Sequence, residues 1–152
     1  MSSVVHPGTW AERLGRFDPG AVAVHGITEE VAKFYGQPAQ LVWTQLMWMV
    51  SHADRIVAHN AEFDTNVLAS AAGHLRLPAP FLPETRCTMI LSTEVAGIPD
   101  GKSVSGRKWP KLGEAYFAVT RKTYAPRHDA LYDVYACRSI WRELLARGAA
   151  LA

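Results

Sequence analysis

Two aspartates sit in comparable surroundings far apart in the sequence. Asp64 closes the stretch IVAHNAEFD at residues 56–64, and Asp133 closes HDALYD at residues 128–133. In the first stretch two β-branched residues run into His59 and Asn60, and the carboxylate then falls on a helical pattern. The outer edge of such a strand-to-helix junction is where α/β proteins tend to hold ligands. In the second, Asp129 is the better N-cap, which leaves His128 just outside a helix and Asp133 one turn within it. Two carboxylates so placed, with a histidine beside one of them, suit hydrolysis assisted by hard divalent cations. Carboxylate oxygens bind Mg²⁺ without stripping all its waters, and two metals roughly 4 Å apart hold both the attacking and the leaving oxygen of a phosphodiester. A histidine that titrates near neutrality can take the proton from the attacking water. Each residue alone has a plainer reading: Asp64 as an acid favoured by a helix dipole, Asp133 as a partner of Arg138, His128 as a turn residue.

The elements that position these groups follow from patterning. Residues 55–58 are too few for a helix and read as a short strand. Asn60 can cap a helix in which Phe63, Val67, Ala71 and Leu75 recur every fourth residue, ending near LPAP. Upstream, SSVVHPG reads as a short strand ending at Pro7, and TWAERLGRFDPG as a loop with turn chemistry at Asp18, Pro19 and Gly20. Thr28 is an N-cap before two acids and starts a short helix that includes Val31 and Phe34. AQLVWTQLMWMVSHA spaces its apolar residues three to four apart, which predicts a largely buried helix. Downstream, residues 84–88 predict a strand, MILSTEV a helix, AGIPDGKSVSGRKWP a loop and KLGEAYFAV another helix. The last segment is the most strongly periodic: Ala130, Val134, Cys137, Trp141 and Leu144 form an apolar stripe, and Gly148 is a suitable stop. Asp133 lies at the edge of that face, where a carboxylate is costly unless a cation or several donors neutralise it.

Composition limits what such a site can belong to. A chain of 152 residues, 49% hydrophobic and 20% charged, fits one globular domain over residues 1–152. A net charge of +2 is too small to argue for nucleic acid by itself, although Lys102, Arg107, Lys108 and Lys111 cluster in one stretch that is either a solvated loop or a track for a phosphate backbone. Cys87 and Cys137 have no CxxC spacing, so they indicate neither a disulfide framework nor a zinc knuckle and read as core thiols. The longest strongly apolar run, residues 46–50, is far short of a membrane span. A cytoplasmic protein without a membrane partner is the expectation.

Together the two motifs resemble HNAxFD and HxAxxD, the second and third motifs of the DEDDh 3′→5′ exonucleases. VHGITEEV resembles the family's HGIT segment, CTMILS its Cys/Asp-Thr segment, and RKWPKLGEAY a KWPKL-type stretch of some members. The resemblance spans residues 22–145 in the expected order. It implies an α/β fold of the RNase H-like exonuclease type, helix-rich, with Asp64 and Asp133 as metal ligands, His128 as general base and Asn60 orienting the strand-helix junction at the nucleotide. It also implies Mg²⁺ or Mn²⁺ as cofactor, a single-stranded DNA or RNA 3′ end as substrate, and a DNA polymerase as a possible partner. Lys102, Arg107 and Lys108 are then the expected contacts to the strand.

One part of the pattern is missing. The family's first motif, DxE on the central strand, supplies two further carboxylates, and the acids before His25 are Glu12 and Asp18, neither in such a motif. Glu62, two residues from Asp64 on a helix, points elsewhere and is no substitute. The expectation is an incomplete central sheet lacking its first strands, and a chain inactive as it stands. In-frame sequence upstream of the Met1 codon is expected to run for roughly 30 to 60 residues and to carry the DxE strand. Two competing readings are a degenerate, non-catalytic nuclease domain that binds nucleic acid or a polymerase, and a helix-rich structural protein.

Overall fold

The computed structural model describes residues 4–6, 17–102, 104–125 and 129–148. Among them are seven helices, α1 (Pro19–His25), α2 (Glu29–Tyr35), α3 (Ala39–Ser51), α4 (Ala61–Leu75), α5 (Thr88–Ala96), α6 (Leu112–Thr120) and α7 (Ala130–Ala146). Two strands, β1 (Arg55–Ala58) and β2 (Glu84–Cys87), form a parallel pair. The chain is therefore a helix-rich α/β protein with a small sheet, and it falls into two compact units, Met1–Asp54 with Val67–Pro83, and Arg55–Asn66 with Glu84–Ala152. None of the described helices is long and apolar enough to cross a membrane.

The first unit is built from local signals. The Asp18-Pro19-Gly20 segment, expected as a turn, begins α1 instead: the Asp18 carboxylate accepts from the Ala21 N–H at 3.0 Å, and Pro19 takes the first helical position. A proline there loses no hydrogen bond, because the first amides of a helix have no partner within it. Thr28 caps α2 as expected, its hydroxyl accepting from the Val31 N–H at 3.2 Å. Val5 makes an isolated parallel bridge with Gln37. The expectation of a largely buried α3 fails: Val50 is its one buried residue, whereas Leu41, Trp48 and Met49 are exposed. Val42 and Leu46 are half-buried, so periodicity marks a face that could be covered but not how fully it is. Helix α4 belongs to the second unit up to Asn66 and to the first from Val67; of its expected stripe Phe63 and Val67 are exposed, while Ala71 and Leu75 are half-buried.

The second unit has a continuous core. Strands β1 and β2 pair from Arg55 with Glu84 to Ala58 with Cys87, so their carboxyl ends are level. Helix α5 starts directly after β2, and α5, α6 and α7 pack on one another. Ala115 and Val119 of α6 and Ile140 and Leu144 of α7 form the buried cluster, with Leu91, Val95 and Trp141 packed around it. Asp129 caps α7 through the Leu131 N–H at 2.8 Å, and Gly148 follows the helix at φ 74°, both as expected. At the far end the Arg147 guanidinium donates to the Val119 carbonyl at 2.5 Å and so ties the end of α7 to that of α6. The buried face of α7 is Ala136, Cys137, Ile140 and Leu144, whereas Ala130 and Val134 of the expected stripe are exposed. Those two residues line a cavity instead.

Candidate functional site

A cavity of about 620 Å³ lies in the second unit at the carboxyl end of β1. Val57, Ala58 and His59 come to it from the strand and its continuation, and Asp64 from the first turn of α4. From the first half of α7 come Asp133, Cys137 and Arg138. The two predicted acids therefore meet in one cavity. Arg55 also lines it, 3.5 Å from Glu84 and with its guanidinium 5.9 Å from the centre of the Trp141 ring.

His59 fixes the wall. Its Nε2 lies 3.0 Å from the Pro110 carbonyl, an acceptor only, so that nitrogen carries the proton and Nδ1 faces the Thr88 hydroxyl at 3.0 Å. Burial pushes the His59 pKa below its ordinary value, outweighing the Pro110 carbonyl and the Asp64 charge, which favour the protonated ring. The Thr88 hydroxyl, wholly buried, also lies 3.2 Å from the Ala58 carbonyl oxygen and 3.5 Å from the Cys137 sulfur. One threonine thus joins the end of β1, the start of α5 and the buried face of α7.

The two acids differ in what surrounds them. Burial against the cavity wall raises the Asp64 pKa, while its own backbone N–H and nearby His59 pull the other way. The cost expected for Asp133 is met by a neutral donor: the Tyr124 hydroxyl donates to its Oδ1. Burial, then the bond to Asp133, pushes the Tyr124 pKa up to about 12. The tyrosine ring lies 5.8 Å from those of both Tyr116 and Tyr132. Gly113 makes room for it, because a Cβ at that position would come within 2.9 Å of the Tyr124 ring.

The other predicted site residues fall elsewhere. His128 lies outside the described residues. Asn60 is not an N-cap; its φ of 72° places it in the left-handed region, which asparagine tolerates, whereas a cap needs extended backbone. Its carbonyl instead accepts from the Phe63 N–H at 2.9 Å as the chain turns into α4. Arg107 pairs with Glu94 at 3.1 Å and Lys108 with Glu114 at 2.9 Å, while the Lys102 amide closes a turn on Asp100. A profile of the exonuclease family RNase_T matches residues 11–140. The chain belongs to this exonuclease family. No match to a curated protein or a solved structure was found.

An exonuclease fold carries a nuclease-type function and acts on nucleic acid, and its relatives generally use divalent metals. The carboxylate oxygens of Asp64 and Asp133 are the donors a hard cation takes. They do not by themselves make a metal site: no group of three or more potential ligands comes together among the described residues. The sequence assigns no site role to Tyr124, Thr88 or Pro110, although Thr88 and Pro110 fall in the CTMILS and RKWPKLGEAY segments. Tyr124 lies between helices and has no period, and the partners of Thr88 and Pro110 are tertiary. His59, inside the quoted motif, was the available signal.

Proposed function

We propose that the cavity receives the 3′ end of a single-stranded nucleic acid, in a site built for 3′→5′ exonuclease action that releases nucleoside monophosphates by two-metal hydrolysis. The observation that supports this reading is the meeting of Asp64 and Asp133, from separate motifs, in one cavity. In the reading these acids are metal ligands, His128 is the general base, and Asn60, Lys102, Arg107 and Lys108 contact the strand. Two carboxylates offset at most half the charge of a metal pair, so the chain of 152 residues by itself holds a strand without cutting it. A second reading, a non-catalytic module that binds nucleic acid or a polymerase, is favoured by the Tyr124 hydroxyl on Asp133, which satisfies that carboxylate without a cation. The 3′-end assignment is tested with a single strand carrying a photoreactive group at either terminus. Crosslinks from the 3′ group should map to β1, the start of α4 or the start of α7, and those from the 5′ group should not. Equal labelling from both ends, or labelling away from the cavity, rejects the assignment.

A further inference from the structure

Residues 107–111, RKWPK, are pinned at nearly every position. Arg107 bonds Glu94, through its Nε to the carboxylate at 3.1 Å and through Nη1 to the backbone carbonyl at 3.2 Å. The Lys108 N–H donates to the Ile98 carbonyl at 2.9 Å, and its Nζ reaches both oxygens of Glu114 at 2.9 and 3.1 Å. Pro110 is fully buried, its carbonyl accepting from His59 on the cavity wall. The Lys111 N–H donates to Glu114 at 2.6 Å, and these bonds hold the Glu114 pKa below the usual range. Between these anchors stands Trp109, 61% exposed.

An indole on a mobile loop would gain by folding onto apolar surface, and the anchors on either side keep this one in place. Its backbone is already ordered, so a flat partner stacking on it costs little further conformational entropy. The stretch also carries Lys102 and Lys111 beside the two ion-paired cations Arg107 and Lys108, and Leu112, three residues on, lines the cavity. We infer that Trp109 is a stacking platform for a base of the single strand whose end enters the cavity. The inference rests on the reading of that cavity as a nucleic-acid site. Because every base has a π-face, the platform contributes affinity with little sequence preference.

The test is the binding of a short fluorescein-labelled oligothymidylate to the full chain across a salt series. Trp109→Ala should weaken binding about tenfold, within the range for loss of one stacked base. The slope of log affinity against log salt should not change, because stacking releases no counterions. Trp109→Phe should recover most of the loss, which a merely structural role would not predict, and Lys102→Ala should instead flatten the slope. Wild-type binding with an unaffected Trp109→Ala, or a changed salt slope in that variant, overturns the stacking role while leaving the cavity reading intact. Absence of wild-type binding overturns both.

Discussion

The two units of this chain use apolar residues in opposite ways. In the second, Ala115, Val119, Ile140 and Leu144 are all within 1% of complete burial and hold α6 against α7. In the first, the described buried hydrophobics are Ala32, Val50 and Ala72, while Phe34, Tyr35, Trp48 and Met49 remain largely exposed. Helix α3 is as apolar as α5 and α6, so composition does not make the difference there. A helix face becomes core when another layer lies on it. Helices α5, α6 and α7 supply layers to one another, whereas Trp48 and Met49 of α3 stay exposed. The candidate site lies in the packed unit, where helix termini and strand ends are held firmly enough to fix two carboxylates.

The largest expected effect sharpens this contrast. Leu144→Ala should destabilise the chain by about 2–5 kcal/mol in urea unfolding, the range for a buried leucine that leaves a cavity. Met49→Ala, on the exposed face of α3, should stay within about 0.5 kcal/mol of wild type. A cost for Met49→Ala comparable with that for Leu144→Ala would show that the α3 face is covered in solution and would break the comparison. Thr88→Val tests the polar part of the packed unit. It keeps the shape and removes the hydroxyl shared by His59, Ala58 and Cys137, so a loss of about 1–3 kcal/mol is expected from the unsatisfied buried partners. A neutral result would mean that these groups rearrange or find water.

Acidification should give a smaller effect. Because burial lowers the His59 pKa in the folded state, the unfolded chain binds more protons than the folded one just below the ordinary histidine pKa of about 6.5. Stability contributed by neutral His59 is therefore full above about 6.5 and falls as the pH drops toward the folded value. His59→Gln should flatten that part of the urea-midpoint profile. An unchanged profile would show that His59 is free to protonate without breaking its bonds to Pro110 and Thr88.

What the sequence reveals about this molecule depends on range. Strand β1, the caps at Thr28 and Asp129 and the stop at Gly148 are written within a few residues, and each is found where its local chemistry places it. Asp18 and Pro19 show the limit of that reading, since the same pair suits a turn and the first turn of a helix. The meeting of Asp64 with Asp133 was legible through two motifs and the helix starts that carry them. The Tyr124 hydroxyl on Asp133 was not, because nothing in a loop sequence says which carboxylate it will reach. Nor was the exposure of α3, because a periodic stripe does not name what lies opposite.

Hydrolysis is the most direct test of the claim that this site, with Asp64 and Asp133 as its acids, receives a strand without cutting it. The purified chain is incubated with a 5′-labelled single strand and Mg²⁺ or Mn²⁺, beside Asp133→Asn and a chelator control. The account predicts no shortening of the strand beyond either control. Stepwise loss of mononucleotides from the 3′ end that chelation stops and Asp133→Asn abolishes would contradict it, and would mean that other acids of this chain complete the site.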